Sequence, residues 1–517
     1  MAIRPRLTGN KMLHFLPRPP SSAGLLRLFR RHEWPINLFR QLLPSFVADV
    51  VFPDHKPKHR IHPTSYLDGL RGVASFIVFF CHYTENNWSI LTPGYGINSE
   101  IPERWIQLPY FRIIFSGRPM VHIFFVISGF VLSYKPIKAI HARDLDKCYT
   151  ALASSTFRRA FRLFGPCVAS TFMIMVLMQF GFLYNAQPLG AQIQDWIKVV
   201  FHKITWGWDW DKDLGPGYDI HLWTIPIEFA HSMLLFMVIL MLSRVRMRAR
   251  QAMVFGLMMY CLACGKWAGF EFLSGLFLAE WHVLQSAKPQ VKEWESTEAL
   301  YDPQQYHTRA SRAWRIGKPL LHVFLVMLAL FIGGWPNADA EKTPGIRWFL
   351  DKTPSPFAEM GGLAPQKFWF GISAAFIVWS VGELDMLKRL FESPIAQYCG
   401  RISYAIYICH GPVLDLYQGH ILCNPPWPGK GKPGEEGFQP EVIGCGIKGF
   451  FGVDTTMQLM LGWSIGLLLL GPIVIWAADV FWRAIDDPVV VLGRKMETMC
   501  LDHAEPSPRA QGYSPAA

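Results

Sequence analysis

Apolar residues along this chain gather into long runs separated by polar stretches, and the runs predict helices rather than strands. Ten such segments fall at about 66–84, 119–135, 164–185, 221–243, 252–266, 269–286, 319–335, 368–386, 397–418 and 457–479. A hydrocarbon core about 30 Å thick is crossed by roughly 20 residues rising about 1.5 Å each, so most of these runs are long enough to span and the shortest sit near the lower limit. The pattern predicts an all-α polytopic membrane protein of about ten transmembrane helices. Composition agrees: 51% of the 517 residues are hydrophobic and 14% aromatic.

Orientation follows from the loops. With the N-terminus cytosolic, the loops 135–163, 244–251, 287–318 and 387–392 carry 19 Lys and Arg in 75 residues. The opposite loops 85–118, 186–220, 266–268, 336–366 and 419–456 carry 13 in 141. Basic residues stay on the cytosolic side, so both termini are expected there. The formal charge of +11 then belongs mainly to the cytoplasmic face, where it suits anionic headgroups or a phosphorylated co-substrate, and it calls for no nucleic acid. Residues 1–65 hold 11 Lys and Arg against three acids and no signal-peptide pattern, which predicts a basic cytosolic tail, disordered or lying on the membrane surface. The membrane domain is expected over 66–483 and a cytosolic C-terminal tail over 484–517. Most of the ten cysteines fall in predicted spans; only Cys423 and Cys445 share a non-cytosolic loop, as a bridge or as two free thiols. Asn87-Trp-Ser89 is a glycosylation sequon at the edge of the first span.

Four apolar segments contain polar groups that lipid-facing helices would not keep. In the first, Arg71 and His82 stand eleven residues apart. On a helix that is about 16 Å of rise and about 20° beyond three full turns, so both share one face, with Asp68 placed to pair with Arg71. The bland alternative makes Arg71 a headgroup anchor and His82 a hydrogen-bonded core residue. The second is His122-Ile-Phe-Phe-Val-Ile-Ser-Gly-Phe130, where Ser128 and Gly129 allow close backbone approach. The third, His221-Leu-Trp-Thr-Ile-Pro-Ile-Glu-Phe-Ala-His231, carries Glu228 two turns in and Pro226, which is expected to kink the helix. Glu228 is placed either to orient a histidine or to tie two helices together. In the fourth, Gly400 to Pro412, Tyr407 and His410 share a face with Ser403 one turn back. Before the third span, Arg159 and Arg162 present two forks suited to phosphate oxygens, or serve as ordinary cytosolic charge.

Taken in order, these pieces resemble the integral-membrane acyltransferase-3 family. They are Leu67-Asp-Gly-Leu-Arg-Gly72 followed by His82, Phe124-Phe-Val-Ile-Ser-Gly-Phe130, Arg159-Ala-Phe-Arg162, Leu222-Trp-Thr-Ile-Pro-Ile-Glu228, and Arg401-Ile-Ser-Tyr-Ala-Ile-Tyr-Ile-Cys-His410. The resemblance covers about 66–483 and includes the family's Arg-x10-His signature. Two positions depart from it: His122 stands where the family often has aspartate, and Phe229 where a second acid is common. The long N-terminal tail and wide 287–318 loop look like those of filamentous-fungal members.

The resemblance implies transfer of an acyl group, acetyl first, from acyl-CoA to a hydroxyl. It leaves His82 either as general base in one direct transfer, a role that suits an imidazole, or as the residue that is itself acylated on the way. Arg71 then holds the donor or stabilises developing charge, Arg159 and Arg162 receive the donor phosphates, and Glu228 and His410 are candidate orienters. No resident cofactor or metal is expected; the scattered histidines show no metal-site spacing, and acyl-CoA is a co-substrate. A hydroxylated small molecule such as a fungal terpenoid or polyketide is the expected acceptor, with a glycan or lipid as alternative, in the endoplasmic reticulum or another endomembrane. Buried Arg, Glu and His also line carriers, so a transporter is the competing class; it is disfavoured because no second Arg-x10-His half repeats along the chain.

Overall fold

The computed structural model describes residues 42–51, 61–87, 93–95, 104–183, 186–286, 309–337, 339–420, 450–452 and 455–501. Most of the N-terminal tail, the Cys423 and Cys445 pair, the Trp and Ser of the sequon, most of the 287–318 loop and the last part of the C-terminal tail lie outside the described residues. Two units divide the chain at Pro57 and Lys58. The first contributes one described helix, Ser45–Val51. The second holds everything that follows, and no strand occurs among the described residues.

Each predicted apolar segment falls in a helix. These are α1 (Ser65–Asn87), α2 (Gly117–His141), α3 (Leu145–Gln179), α4 (Thr224–Leu242), α5 (Met247–Ala263), α6 (Trp267–Ser286), α7 (Arg309–Gly333), α8 (Ala364–Glu383), α9 (Pro394–His420) and α10 (Thr456–Phe481). An eleventh, α11 (Asp487–Cys500), follows α10 through a π turn. Not every helix is apolar enough to span by itself. Gly117–His141, Leu145–Gln179, Ile220–Leu242 and Thr456–Cys500 have the length and composition for it, and Ala364–Glu383 with Asp385–Phe391 adds a fifth stretch bent by 97°. The expected ten spans are thus not established. α5 is only 17 residues long, and α1 carries Asp68, Arg71, His82 and Glu85, which lower its hydropathy.

Two helix crossings set the interior, and each is made by glycine. A Cβ on Gly129 of α2 would stand 2.3 Å from the Phe272 carbonyl oxygen of α6, and one on Gly275 of α6 would stand 2.3 Å from that of Val126. The second crossing joins α1 to α9: a Cβ on Gly72 would lie 2.3 Å from the Gly400 nitrogen, and one on Gly400 would lie 2.4 Å from the Asp68 carbonyl oxygen. Such contacts let backbones pack without side chains between them. Arg71 and His82 are held against α9 by the second crossing.

Pro226 does not kink α4. It lies in the first turn, preceded by the 3-10 turn Ile220–Trp223, where the first backbone N–H groups lack intrahelical acceptors in any case. The departure at His122 is absorbed by Glu271 of α6, whose carboxylate lies 2.5 Å from the His122 Nδ1 in the core. The departure at Phe229 is absorbed by packing, its ring centroid 4.8 Å from that of Phe164.

Candidate active site

α1 carries the two leading residues to different places on one face. Near its start, Arg71 donates from Nε to the Ser403 hydroxyl at 2.9 Å and from Nη2 to the Gly400 carbonyl at 3.2 Å, with Asp68 at 3.4 Å. The guanidinium is thereby fixed to α9 while still facing a cavity. That cavity, of about 330 Å³, is walled by Arg71, Ser128, Arg162, Glu228, Arg401 and Arg494 among others, and Thr224 and Tyr407 also line it. Its size lies at the low end of small-molecule sites, which run from about 300 to 1,000 Å³.

The pair Arg159 and Arg162 separates. Arg159 is buried and committed: Nη2 donates to Glu228 at 2.7 Å and Nε to the Ser232 hydroxyl at 2.9 Å. Glu228 also accepts from the Ser128 hydroxyl at 2.9 Å. Glu228 therefore binds an arginine and a serine across three helices; it does not orient a histidine. Arg162 lines the cavity, and its guanidinium has no hydrogen-bond partner among the described residues. Two further cations join it that the sequence reading passed over. Arg401 lies over the Tyr398 ring at 5.6 Å, and Arg494 comes from α11, a segment read as tail. An ion pair between Arg158 and Glu497 at 3.1 Å ties α11 to α3 beside the cavity.

Three turns along α1 from Arg71, His82 meets two other imidazoles. Its ring centroid is 4.4 Å from that of His221 and 5.5 Å from that of His410, and those two are 4.4 Å apart. One ring nitrogen of each lies within 4.8 Å of the others, a grouping able to hold a metal ion. Spacing along the chain gave no hint of this, because the three come from α1, the turn before α4, and α9. His221 opens the third polar segment, and its place two residues after Asp219 is the sequence signal for its role.

Each histidine has an oxygen near Nδ1. Asp219 accepts from His221 at 2.8 Å, the Ile406 carbonyl accepts from His410 at 3.1 Å, and Glu85 lies 3.6 Å from His82. Burial pushes the Asp219 carboxyl up to about 6, against the lowering pull of His410, the His221 backbone N–H and His82. Its Oδ1 accepts from the His221 Nδ1 and so holds the ring. Gly411 gives this pair its room, since a Cβ there would stand 2.5 Å from the His221 Nδ1.

Tyr407 divides the cavity from the cluster. Its hydroxyl donates to the His221 carbonyl and lies 2.6 Å from the Thr224 hydroxyl. Its ring centroid is 6.1 Å from that of His410. A cavity lined by five arginines and by the carboxylates of Glu228, Asp486 and Asp487 thus reaches a tyrosine beside the imidazoles, and the excess of positive charge suits an anionic ligand whose far end meets the histidines.

Comparison with known proteins agrees with this chemistry. The acyltransferase-domain family Acyl_transf_3 matches residues 64–482. The chain is 30% identical to the O-acetyltransferase PaAT-1 of Phomopsis amygdali over 412 residues, covering 72% of this chain and 76% of that protein. It is 25% identical to the acyltransferase clz18 of Cochliobolus lunatus over 450 residues, 76% of this chain and 91% of that one. No solved structure matches it. With the family match running through both the arginine-lined cavity and the histidine cluster, the chain belongs to the acyltransferase-3 family.

Proposed function

We propose that the protein is a membrane O-acyltransferase that moves an acyl group, most simply acetyl, from acyl-CoA to a hydroxyl of a small molecule. The observation that carries this reading is the junction at Tyr407, where a cavity bordered by Arg71, Arg162, Arg401 and Arg494 ends against the His82 cluster. Coenzyme A is anionic at one end and carries its thioester at the other. Its phosphates meet Arg162 and Arg494 at the mouth, its pantetheine arm fills the cavity past Arg71, and the thioester arrives at Tyr407. Glu228 keeps Arg159 in the wall.

His82 takes the proton of the acceptor hydroxyl as that oxygen attacks the thioester carbonyl. The tetrahedral intermediate then expels the thiolate, the carbon–sulfur bond breaks, and the imidazolium returns its proton to sulfur, leaving the ester and free coenzyme A. In the topology expected from the basic loops, the cavity mouth faces the cytosol, where acyl-CoA is made, and the cluster lies deeper. The O-acetyltransferase among the relatives supports acetyl as the group moved; the acceptor in this reading is a specialised metabolite, terpenoid or polyketide, and the place an endomembrane.

The test is His82→Ala in membranes supplied with acetyl-CoA, with acylated product read by mass against cells lacking the gene. A general base contributes about 10²–10⁴-fold, and a loss of that size in correctly inserted protein is expected. Near-wild-type turnover would remove His82 from the reaction.

A further inference from the structure

Beyond proton transfer, the same three imidazoles have the donor set of a metal site. We infer that His82, His221 and His410 bind a borderline divalent transition ion, zinc first, and that the bound ion switches acyl transfer off. Only the inhibitory half rests on the base role proposed for His82; the site itself does not.

The outer contacts point the same way. A metal-ligating histidine almost always gives its other ring N–H to a carboxylate, carbonyl or water, which fixes the ring and leaves one lone pair for the ion. Asp219 and the Ile406 carbonyl do this for His221 and His410 at 2.8 and 3.1 Å, and Glu85 stands 3.6 Å from the Nδ1 of His82. The remaining nitrogen of His410 is the second observation. His410 is 0% exposed, and its Nε2 is buried with no hydrogen-bond partner among the described residues. Buried polar atoms are rarely left so, and an unseen ion is one of the few explanations. The Asp219 Oδ2 is buried and without a hydrogen-bond partner among the described residues too, so a dication nearby would offset a carboxylate whose Oδ1 alone is held, by the His221 ring and backbone N–H.

Geometry asks for little. Two nitrogens bound to zinc at about 2.0–2.1 Å and tetrahedral angles are about 3.4 Å apart, so ring nitrogens now within 4.8 Å must close by no more than about 1.4 Å. Neutral imidazoles select Zn, Co, Ni and Cu over Mg and Ca. Inhibition follows from the lone pair: the electrons that take the hydroxyl proton are those that bind the ion, so ion and proton exclude one another at His82.

The full-length protein, stripped with chelator and held in nanodiscs, is titrated with Co²⁺ and then Zn²⁺ while acetyl transfer is followed in parallel. One equivalent of Co²⁺ is expected to give visible absorption that Zn²⁺ abolishes, and transfer should fall with occupancy and return on chelation. Asp219→Asn, which removes no ligand, should weaken Co²⁺ binding about 10–100-fold, and His410→Gln should abolish the visible band. Absence of any Co²⁺ spectrum in a preparation that transfers acetyl groups would overturn the site and leave the acyltransferase reading intact. Binding indifferent to both substitutions would place the ion elsewhere and also overturn it. A stripped enzyme that is dead and revived by the ion would overturn the inhibition and make His82 a ligand in place of a base.

Discussion

Glu228 gives the sharpest mutational test, because the structure moves it from candidate orienter to buried partner of an arginine. Its carboxylate holds Arg159 at 2.7 Å and Ser128 at 2.9 Å, and the two side chains are only 18% and 8% exposed. Glu228→Ala leaves the Arg159 guanidinium, among the described residues, without its ion-pair partner and with Ser232 as its remaining side-chain acceptor. Breaking one side of a fully buried ion pair costs about 3–5 kcal/mol, an upper bound for Glu228, whose side chain is partly exposed at the cavity wall. Glu228→Gln keeps an acceptor for Arg159 and Ser128 but makes the Ser128 bond neutral and leaves the guanidinium without its counter-ion, so a loss smaller than that of Ala, about 1–3 kcal/mol, is expected. Replacing both residues by methionine removes the charge together with its partner and should recover most of the loss, since apolar substitutes for buried pairs are often neutral or better. The assay is detergent-denaturant unfolding of purified Glu228→Met, Arg159→Met and the double variant, read as a double-mutant cycle. A double variant as unstable as the two singles summed would refute the pairing. A turnover loss in Glu228→Gln much greater than its loss of folded protein would return the carboxylate to the chemistry.

Arg71→Ala should lower kcat/KM for acyl-CoA about 10–100-fold, the equivalent of one or two charge-assisted contacts, and Arg71→Lys should restore only part, because an ammonium cannot serve Ser403 and Gly400 with one planar fork; full rescue by Lys would reduce Arg71 to a point charge. Arg162→Gln and Arg494→Gln should each raise donor KM about tenfold with kcat little changed, whereas Arg159→Gln should act mainly on stability, so a donor KM effect confined to Arg159 would reverse the assignment. With the exposed Cys264 and Cys500 removed, cysteine at Lys147 should react with impermeant reagent only from the cytosolic side and cysteine at Lys212 only from the other; the opposite pattern would invert the topology.

Hydropathy located all ten core helices because each is a long local signal that survives any arrangement of its neighbours. Polar residues inside those runs were equally legible as groups needing partners, and Asp68 was matched to Arg71 correctly because both lie on one helix. What the sequence hid was the choice of partner between helices. Arg159 and Arg162 read as one phosphate fork, yet positions three apart differ by about 60° around a helix. That turn is enough to send one arginine to Glu228 and the other to the cavity. α11 read as tail because its mean composition is polar; folded, it is tied to α3 through Arg158 and Glu497 and lends Arg494 to the cavity.

The histidine cluster shows why this loss is systematic. His82, His221 and His410 are separated by more than a hundred residues at each step, and what joins them is helix crossing. The α1–α9 crossing is set by Gly72 and Gly400, which bring the two backbones close near Arg71. From there both helices run on together to His82 and His410, each ten residues further along its helix, at the same height of about 15 Å. The matching intervals from Gly72 to His82 and from Gly400 to His410 are visible in the sequence, but they acquire meaning only once those two glycines are known to touch. Enlarging either glycine would therefore disturb Arg71 at the crossing and, through the helix axes, the meeting of imidazoles above it, so donor grip and proton transfer are coupled through one packing contact.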